Sequence, residues 1–450
     1  MAGYLLRCIS VILIISQFEN IENIGYPPNS PYDEGAPFIS ADGTVIYFTS
    51  DRPGGMGGED IWFSKLKDGR WGPPINMGSP INTFNADGIF CLTSDERTLY
   101  FASFRKPSIG NADIFVVYKK EHGWTTPQNL GRPLNSEGWE SYPTISPDGK
   151  VLFFVSSRSG GVGGIDIWFS VKNKDGRWSE PVNPGPPLNS EYDELAPFLH
   201  PDGKTLFFSS NRPEGLGKFD IYKTVINWED TSFSEPINIG SPVNSENDDI
   251  AFTIPASGDY GYFVRTVKSK DGKFHFDIFR VVLPEAIRPV RPVTMVKGVI
   301  KDKSTGKPVS GAKVIIENLE TGEIFAETYT DSMGEYKIAL PSGFHYGVTI
   351  TAENHLFYST NLNLKSQRAY KEVSMEAEIV PIKKGEKILL RNIFFDFGKA
   401  TLRPESRLEL NRVVKIMLEH PDLVIEIAGH TDDIGDEEYN MDLSIKRAEA

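Results

Sequence analysis

One sequence feature constrains this chain more than any other: an internal repeat of about 53 residues. Four stretches align closely: Ala41-Asp-Gly-Thr-Val-Ile-Tyr-Phe-Thr-Ser-Asp-Arg52, Ser94-Asp-Glu-Arg-Thr-Leu-Tyr-Phe-Ala-Ser-Phe-Arg105, Pro147-Asp-Gly-Lys-Val-Leu-Phe-Phe-Val-Ser-Ser-Arg158 and Pro201-Asp-Gly-Lys-Thr-Leu-Phe-Phe-Ser-Ser-Asn-Arg212. A decayed fifth copy runs from Ser257 to Arg265. The anchor positions are 42, 95, 148, 202 and 257, so the steps are 53, 53, 54 and 55 residues. Each copy continues to an Asp-Ile pair, at Asp60, Asp113, Asp166, Asp220 and Asp277. Eight residues before each anchor sits an acid: Glu34, Asp87, Glu140, Glu194 and Asp249. Four copies close with an aromatic and an Asn: Trp71 with Asn76, Trp124 with Asn129, Trp178 with Asn183, and Phe233 with Asn238.

Asp-Gly and Asp-Glu favour turns between strands. The aromatic, β-branched runs after them suit buried strands. Glycine-rich stretches such as Pro53–Gly58 supply the next turn, and the Asp-Ile segment another strand. About four short strands per repeat matches a β-propeller blade. Subtracting one repeat from Trp71, Asn76 and Gly78 lands on Phe18, Asn23 and Gly25, so residues 18–25 read as a closing strand. The fifth copy lacks that strand. The expectation is a five-bladed propeller closed by the N-terminus, with six blades as the alternative. Residues 8–16 then read as strand. Their other reading is a signal-peptide core, against which no small-residue cleavage site follows.

These elements resemble the TolB-type propeller repeats of bacterial envelope proteins. Acids and arginines that recur in every repeat invite a reading as a binding ring. Repeat physics favours the plainer one, that each makes a bond every repeat needs.

Composition narrows the function. The chain has 450 residues with 47 Lys and Arg against 61 Asp and Glu, a net charge of −14. That disfavours nucleic acid and anionic membrane surfaces as partners. Two cysteines exclude a disulfide scaffold and a cysteine-rich metal site. No apolar run reaches the ~18 residues of a spanning helix. No metal and no cofactor is expected. Gly-x-Ser-x-Gly, His-Glu-x-x-His and Gly-x-Gly-x-x-Gly patterns are absent from the sequence, so the chain does not read as an enzyme.

After a proline-rich linker at 284–294, short strands alternate with Gly turns. The pattern Gly298…Asp302…Thr305-Gly306-Lys-Pro308…Gly311-Ala312…Thr330-Asp331…Gly334-x-Tyr336…Leu340-Pro341 resembles the carboxypeptidase regulatory-like domain, a β-sandwich without peptidase activity. A β-strand is expected at Ile393–Phe397, then a helix from Pro404 with apolar stripe Leu410, Val413, Val414, Met417 and Leu418. A second strand at Leu423–Ala428 and a helix from Glu437 follow.

Between these last two lies Gly429-His-Thr-Asp-Asp-Ile-Gly435, then Asn440, Leu443-Ser444 and Arg447-Ala448. This closely resembles the OmpA C-terminal family and its peptidoglycan-binding motif. The resemblance implies that Asp432 pairs with the ammonium of a diaminopimelate side chain and Arg447 with its carboxylate, flanked by Thr431 and Asn440. His430, which lacks a nucleophile partner, reads as a loop-anchoring histidine rather than a catalytic base. The sequence stops three residues past Arg447, so the module is expected to be incomplete and the chain a fragment.

The expected architecture is a mostly β multidomain chain: propeller at 18–283, sandwich at 295–378 and a partial α/β module at 387–450. The expected function is a non-catalytic envelope protein that binds peptidoglycan, in the periplasm or at the outer membrane of a Gram-negative bacterium. The propeller and sandwich would serve as scaffold and as contact surfaces for other envelope proteins. The alternative is a propeller-centred adaptor with wall binding secondary.

Overall fold

The computed structural model describes residues 19–269, 272–431 and 436–450. The expectation for 8–16 and Phe18 lies outside them. The protein is mostly β, built from several separate sheets with few helices. No helix among the described residues is long and apolar enough to cross a membrane. The chain forms two compact units. One holds the residues up to Val296 together with 337–342 and 368–373. The other holds 297–336, 343–367 and 374–450.

Each repeat forms one antiparallel sheet in chain order. The first runs Glu34–Ile39, Val45–Ser50, Asp60–Lys67, then the short strands Arg70–Trp71 and Ile75–Asn76. The third repeat has only three regular strands, and isolated bridges at Trp178 and Val182 replace the rest. The fifth sheet contains Asp249–Thr253, Tyr260–Lys268 and Phe274–Val282. Its outer strand is Glu19–Asn23, with Glu22 opposite Arg280 and Asn23 opposite Phe279. The innermost strands touch in sequence: Glu34–Ile39 against Asp87–Leu92, then Glu140–Ile145, Glu194–Leu199 and Asp249–Thr253, which returns to Glu34–Ile39. Apolar clusters fill the gaps between neighbouring sheets. Phe101 and Phe115 pack with Tyr47 and Ile61 between the first two. Ile278 and Val264 pack with Phe48 and Ile46 between the last and the first.

The repeated charges are used inside their own repeats. Glu34, Asp87, Glu140, Glu194 and Asp249 are fully buried. Each takes an arginine: Arg52 at 2.7 Å, Arg105 at 2.6 Å, Arg158 at 3.3 Å, Arg212 at 3.2 Å and Arg265 at 2.6 Å. Each also accepts the backbone N–H and hydroxyl of a Ser or Thr four residues earlier, as Asp87 does from Thr83. The arginines lie over aromatic rings, Arg105 at 4.8 Å from the centroid of Phe101. Desolvation still outweighs these bonds at Glu34, Glu194 and Asp249, whose carboxyls are pushed up despite Ser and Arg partners.

A second set ties the outer strands. Asn76, Asn129, Asn183 and Asn238 donate to Asp60, Asp113, Asp166 and Asp220 at 2.6 to 3.2 Å. In the fifth sheet the donor is Asn23, 254 residues away from Asp277 and at 2.6 Å. A second asparagine backs each of these. Asn82 accepts from the Ile61 N–H and donates to the Ile61 carbonyl and to Asn76. Asn29 does the same for Ile278 and Asn23.

The second unit contains a four-stranded antiparallel sheet ordered Ile324–Tyr329, Lys313–Asn318, His345–Thr351 and Tyr358–Asn363. A further four-stranded sheet contains Val293–Asp302, Glu335–Pro341, Lys371–Ser374 and Ala377–Ile379. Two helices follow, α1 (Arg407–Glu419) and α2 (Glu437–Glu449). The strands expected at Ile393–Phe397 and Leu423–Ala428 do not form. Only Phe395 makes a bridge, to Leu402. A strand exists through its ladder bonds, and beyond that one bridge neither segment meets a partner edge. With no sheet beneath it, α1 turns its apolar stripe outward, with Val414 53% and Leu418 75% exposed. It buries Glu409 instead, which bonds Ser359 and Arg412, while Arg412 also pairs with Glu317. Burial pulls the Arg412 guanidinium down to about 10.

Arg105→Ala leaves the Asp87 carboxylate buried without its cation. The expected loss of stability is about 3–5 kcal/mol, read from urea unfolding. A loss below ~1 kcal/mol, the level of a surface pair, would contradict the buried-pair account.

Candidate functional site

In the C-terminal segment, Gly429 and His430 of the motif loop meet Ser444, Arg447 and Ala448 of helix α2. Helix α2 starts where Asp436 accepts the Tyr439 N–H at 3.0 Å, with Glu437 and Glu438 in the first turn. Both features favour a helix start. Gly429 is pressed onto this helix. A Cβ there would stand 2.3 Å from the Ser444 carbonyl oxygen and 2.9 Å from the Ala448 nitrogen. Only glycine permits that approach.

This packing brings the His430 carbonyl to Arg447, whose Nη1 donates to it at 3.4 Å. Nε donates to the Lys399 carbonyl at 3.2 Å. The guanidinium carbon lies 5.0 Å from the centroid of the Phe395 ring. Three contacts thus orient a long side chain, and Nη2 has no partner among the described residues. A planar, oriented guanidinium suits a carboxylate.

Thr431 is half-buried, one residue beyond the carbonyl that Arg447 holds. Asn440 is half-buried two turns before Arg447 on α2, a separation that places both on one face. Its carbonyl accepts the Ser444 hydroxyl at 2.8 Å. His430 is exposed and contributes its carbonyl. Asp432 lies outside the described residues. The structure therefore brings Arg447 to the loop that holds Thr431, with Asn440 on the helix face above.

Sequence reasoning missed Phe395 and Lys399 as supports of Arg447. It also missed Asn29, Asn82, Asn135, Asn189 and Asn244. Their signal was present as a repeated Gly-x-Pro-x-Asn-Ser/Thr, starting at Gly25, Gly78, Gly131, Gly185 and Gly240.

Comparison with known proteins agrees with two of the three resemblances. Residues 394–450 match the OmpA family, and residues 295–374 match the carboxypeptidase regulatory-like domain. Outer membrane protein A of Bordetella avium is 52% identical over 56 residues, 12% of this chain and 28% of that protein. The peptidoglycan-associated lipoprotein of Rhizobium meliloti is 36% identical over 58 residues, 13% of this chain and 33% of that protein. Photosystem I P700 chlorophyll a apoprotein A2 of Gloeobacter violaceus is 40% identical over 81 residues, 18% of this chain and 9% of that protein. The chain thus spans 9% to 33% of the length of these relatives. A solved glycoside hydrolase is similar at 10% identity and TM-score 0.42, covering 63% of this chain and 96% of that one. A likeness that weak carries no argument about function.

Gly429→Ala is expected to push the loop off α2. Hydrogen exchange at residues 429–431 would then speed up at least about tenfold, as local opening costs less. Unchanged exchange would show that the close approach does not hold the loop.

Proposed function

We propose that this chain is a non-catalytic, peptidoglycan-associated protein of the Gram-negative envelope. Residues 387–450 act as its wall-binding module, residues 295–378 as a β-sandwich spacer and residues 18–283 as a TolB-type five-bladed propeller. In this reading Arg447 grips the carboxylate of a diaminopimelate side chain and Asp432 pairs with its ammonium. Thr431 and Asn440 shape the loop between them.

The observation that carries the reading is the seat of Arg447 against the Gly429–Thr431 loop. Its guanidinium is held on Phe395 and two carbonyls, with Nη2 unpaired among the described residues. The OmpA match over 394–450 and the names of the relatives support the wall as the partner. Cyclic packing of the five inner strands, with Glu19–Asn23 completing the last sheet, supports the propeller.

The test is co-sedimentation of the chain with purified peptidoglycan sacculi. The chain is expected to pellet with sacculi. Asp432→Ala with Arg447→Ala should cut the pelleted fraction at least about tenfold, since each removes a charge-assisted bond. Pelleting that is unchanged in the double variant would overturn the assignment.

A further inference from the structure

The five repeat sheets share one feature that the wall module does not use. In each, the innermost strand begins, the second ends and the third begins at the same end. In the first sheet Glu34 lies opposite Ser50 and Ser50 opposite Asp60. The second pairs Asp87, Ser103 and Asp113 in the same way. The loops at this end are bonded from one repeat to the next. Asp87 N–H donates to the Glu59 carbonyl, Glu140 N–H to Ala112, Glu194 N–H to Ile165 and Asp249 N–H to Phe219. They make one continuous surface.

Apolar side chains stand out from that surface. Phe84 is 89% exposed, Phe104 49% and Leu216 51%. Met56 and Val162 are exposed at the equivalent loop position to Leu216. These loops are held in place, because buried Asp60, Asp166 and Asp220 accept the N–H groups of Met56, Val162 and Leu216. A patch that is already ordered loses little entropy on binding. The first two repeats bring the patch together. Gly57 abuts the backbone at Thr83, Phe84 and Asn85, which sets the Met56 loop beside Phe84.

Acids lie at the same end of the first sheet. Asp33 N–H donates to the Asp51 carboxylate at 3.1 Å. Glu59 reaches the second repeat, its Oε2 4.0 Å from where a Cβ on Gly88 would stand. Among the described residues no Lys or Arg pairs with Asp33, Asp51 or Glu59. Desolvation, with Asp51 and Asp33 alongside, pushes the Glu59 carboxyl up. The chain's net charge of −14 repels nucleic acid, anionic lipid and a second copy of itself.

We propose that this end of the sheets, centred on Met56, Phe84, Phe104, Asp51 and Glu59, docks a basic, apolar segment of a partner protein. Aromatic or aliphatic side chains of the partner seat beside Phe84 and Phe104. Its Lys or Arg side chains meet Asp33, Asp51 and Glu59. Exposed apolar patches rimmed by one sign of charge are the usual footprint of such contacts. The proposal rests on the repeat sheets and is independent of wall binding.

The experiment is fluorescence anisotropy of the full chain with a labelled synthetic peptide of alternating Lys and Phe. The expected result is binding that weakens at least about tenfold, or ~1.4 kcal/mol, in Phe84→Ser with Phe104→Ser and again in Asp51→Lys with Glu59→Lys. Ile75→Ser with Ile237→Ser, on outer strands, should leave it unchanged. All these positions are exposed, so folding is preserved. Equal binding of the three variants would overturn the proposal. So would equal affinity for a Lys/Ser peptide, which would mark a diffuse charge effect. Sacculus pelleting of the same variants should not change, which separates this result from the wall reading.

Discussion

A carboxylate sealed from water has to be answered by donors, and the repeat unit is organised around that requirement. Glu34, Asp87, Glu140, Glu194 and Asp249 sit fully buried at the start of the inner strands. Each collects a Ser or Thr from the loop before it and an Arg from the strand end after it. The bonds fix both loops at one end of the sheet. That fixed end is what presents Phe84 and Phe104 to solvent. Apolar packing between sheets supplies the bulk of the stabilisation, while the buried ionic set decides which loop geometry goes with it.

The same logic explains how the fifth sheet is completed. The fifth repeat carries Asp277 but ends without an outer strand of its own. Asn23 and Asn29 complete it from the other end of the chain. Its last sheet is therefore shared between residues 254 apart.

Much of this was legible in the sequence because the repeat multiplies weak signals. One Asp-Gly turn says little, but the same turn at fixed steps fixes strand order. Asn23 was found by subtraction. Asn29 and its four counterparts escaped because they stand beside prolines in what looks like plain loop, although each clamps a buried backbone pair. At the C-terminal segment local patterning overreached. Ile393–Phe397 and Leu423–Ala428 have strand-like side chains, yet β-structure depends on a partner edge that no local pattern can guarantee. The apolar stripe of α1 fails for the same reason. Without a sheet to cover, Glu409 and Arg412 decide which face is buried.

The account depends most on the claim that the N-terminus completes the fifth repeat as an internal strand completes the others. Urea unfolding of Asn29→Ala beside Asn135→Ala tests it directly. Both changes leave a buried backbone N–H without its acceptor, at Ile278 and at Ile114, and take one of two donors from the carbonyl of the same residue. The account predicts equal losses of about 1–3 kcal/mol in the two variants. A loss in Asn135→Ala alone, with Asn29→Ala as stable as the parent, would contradict it.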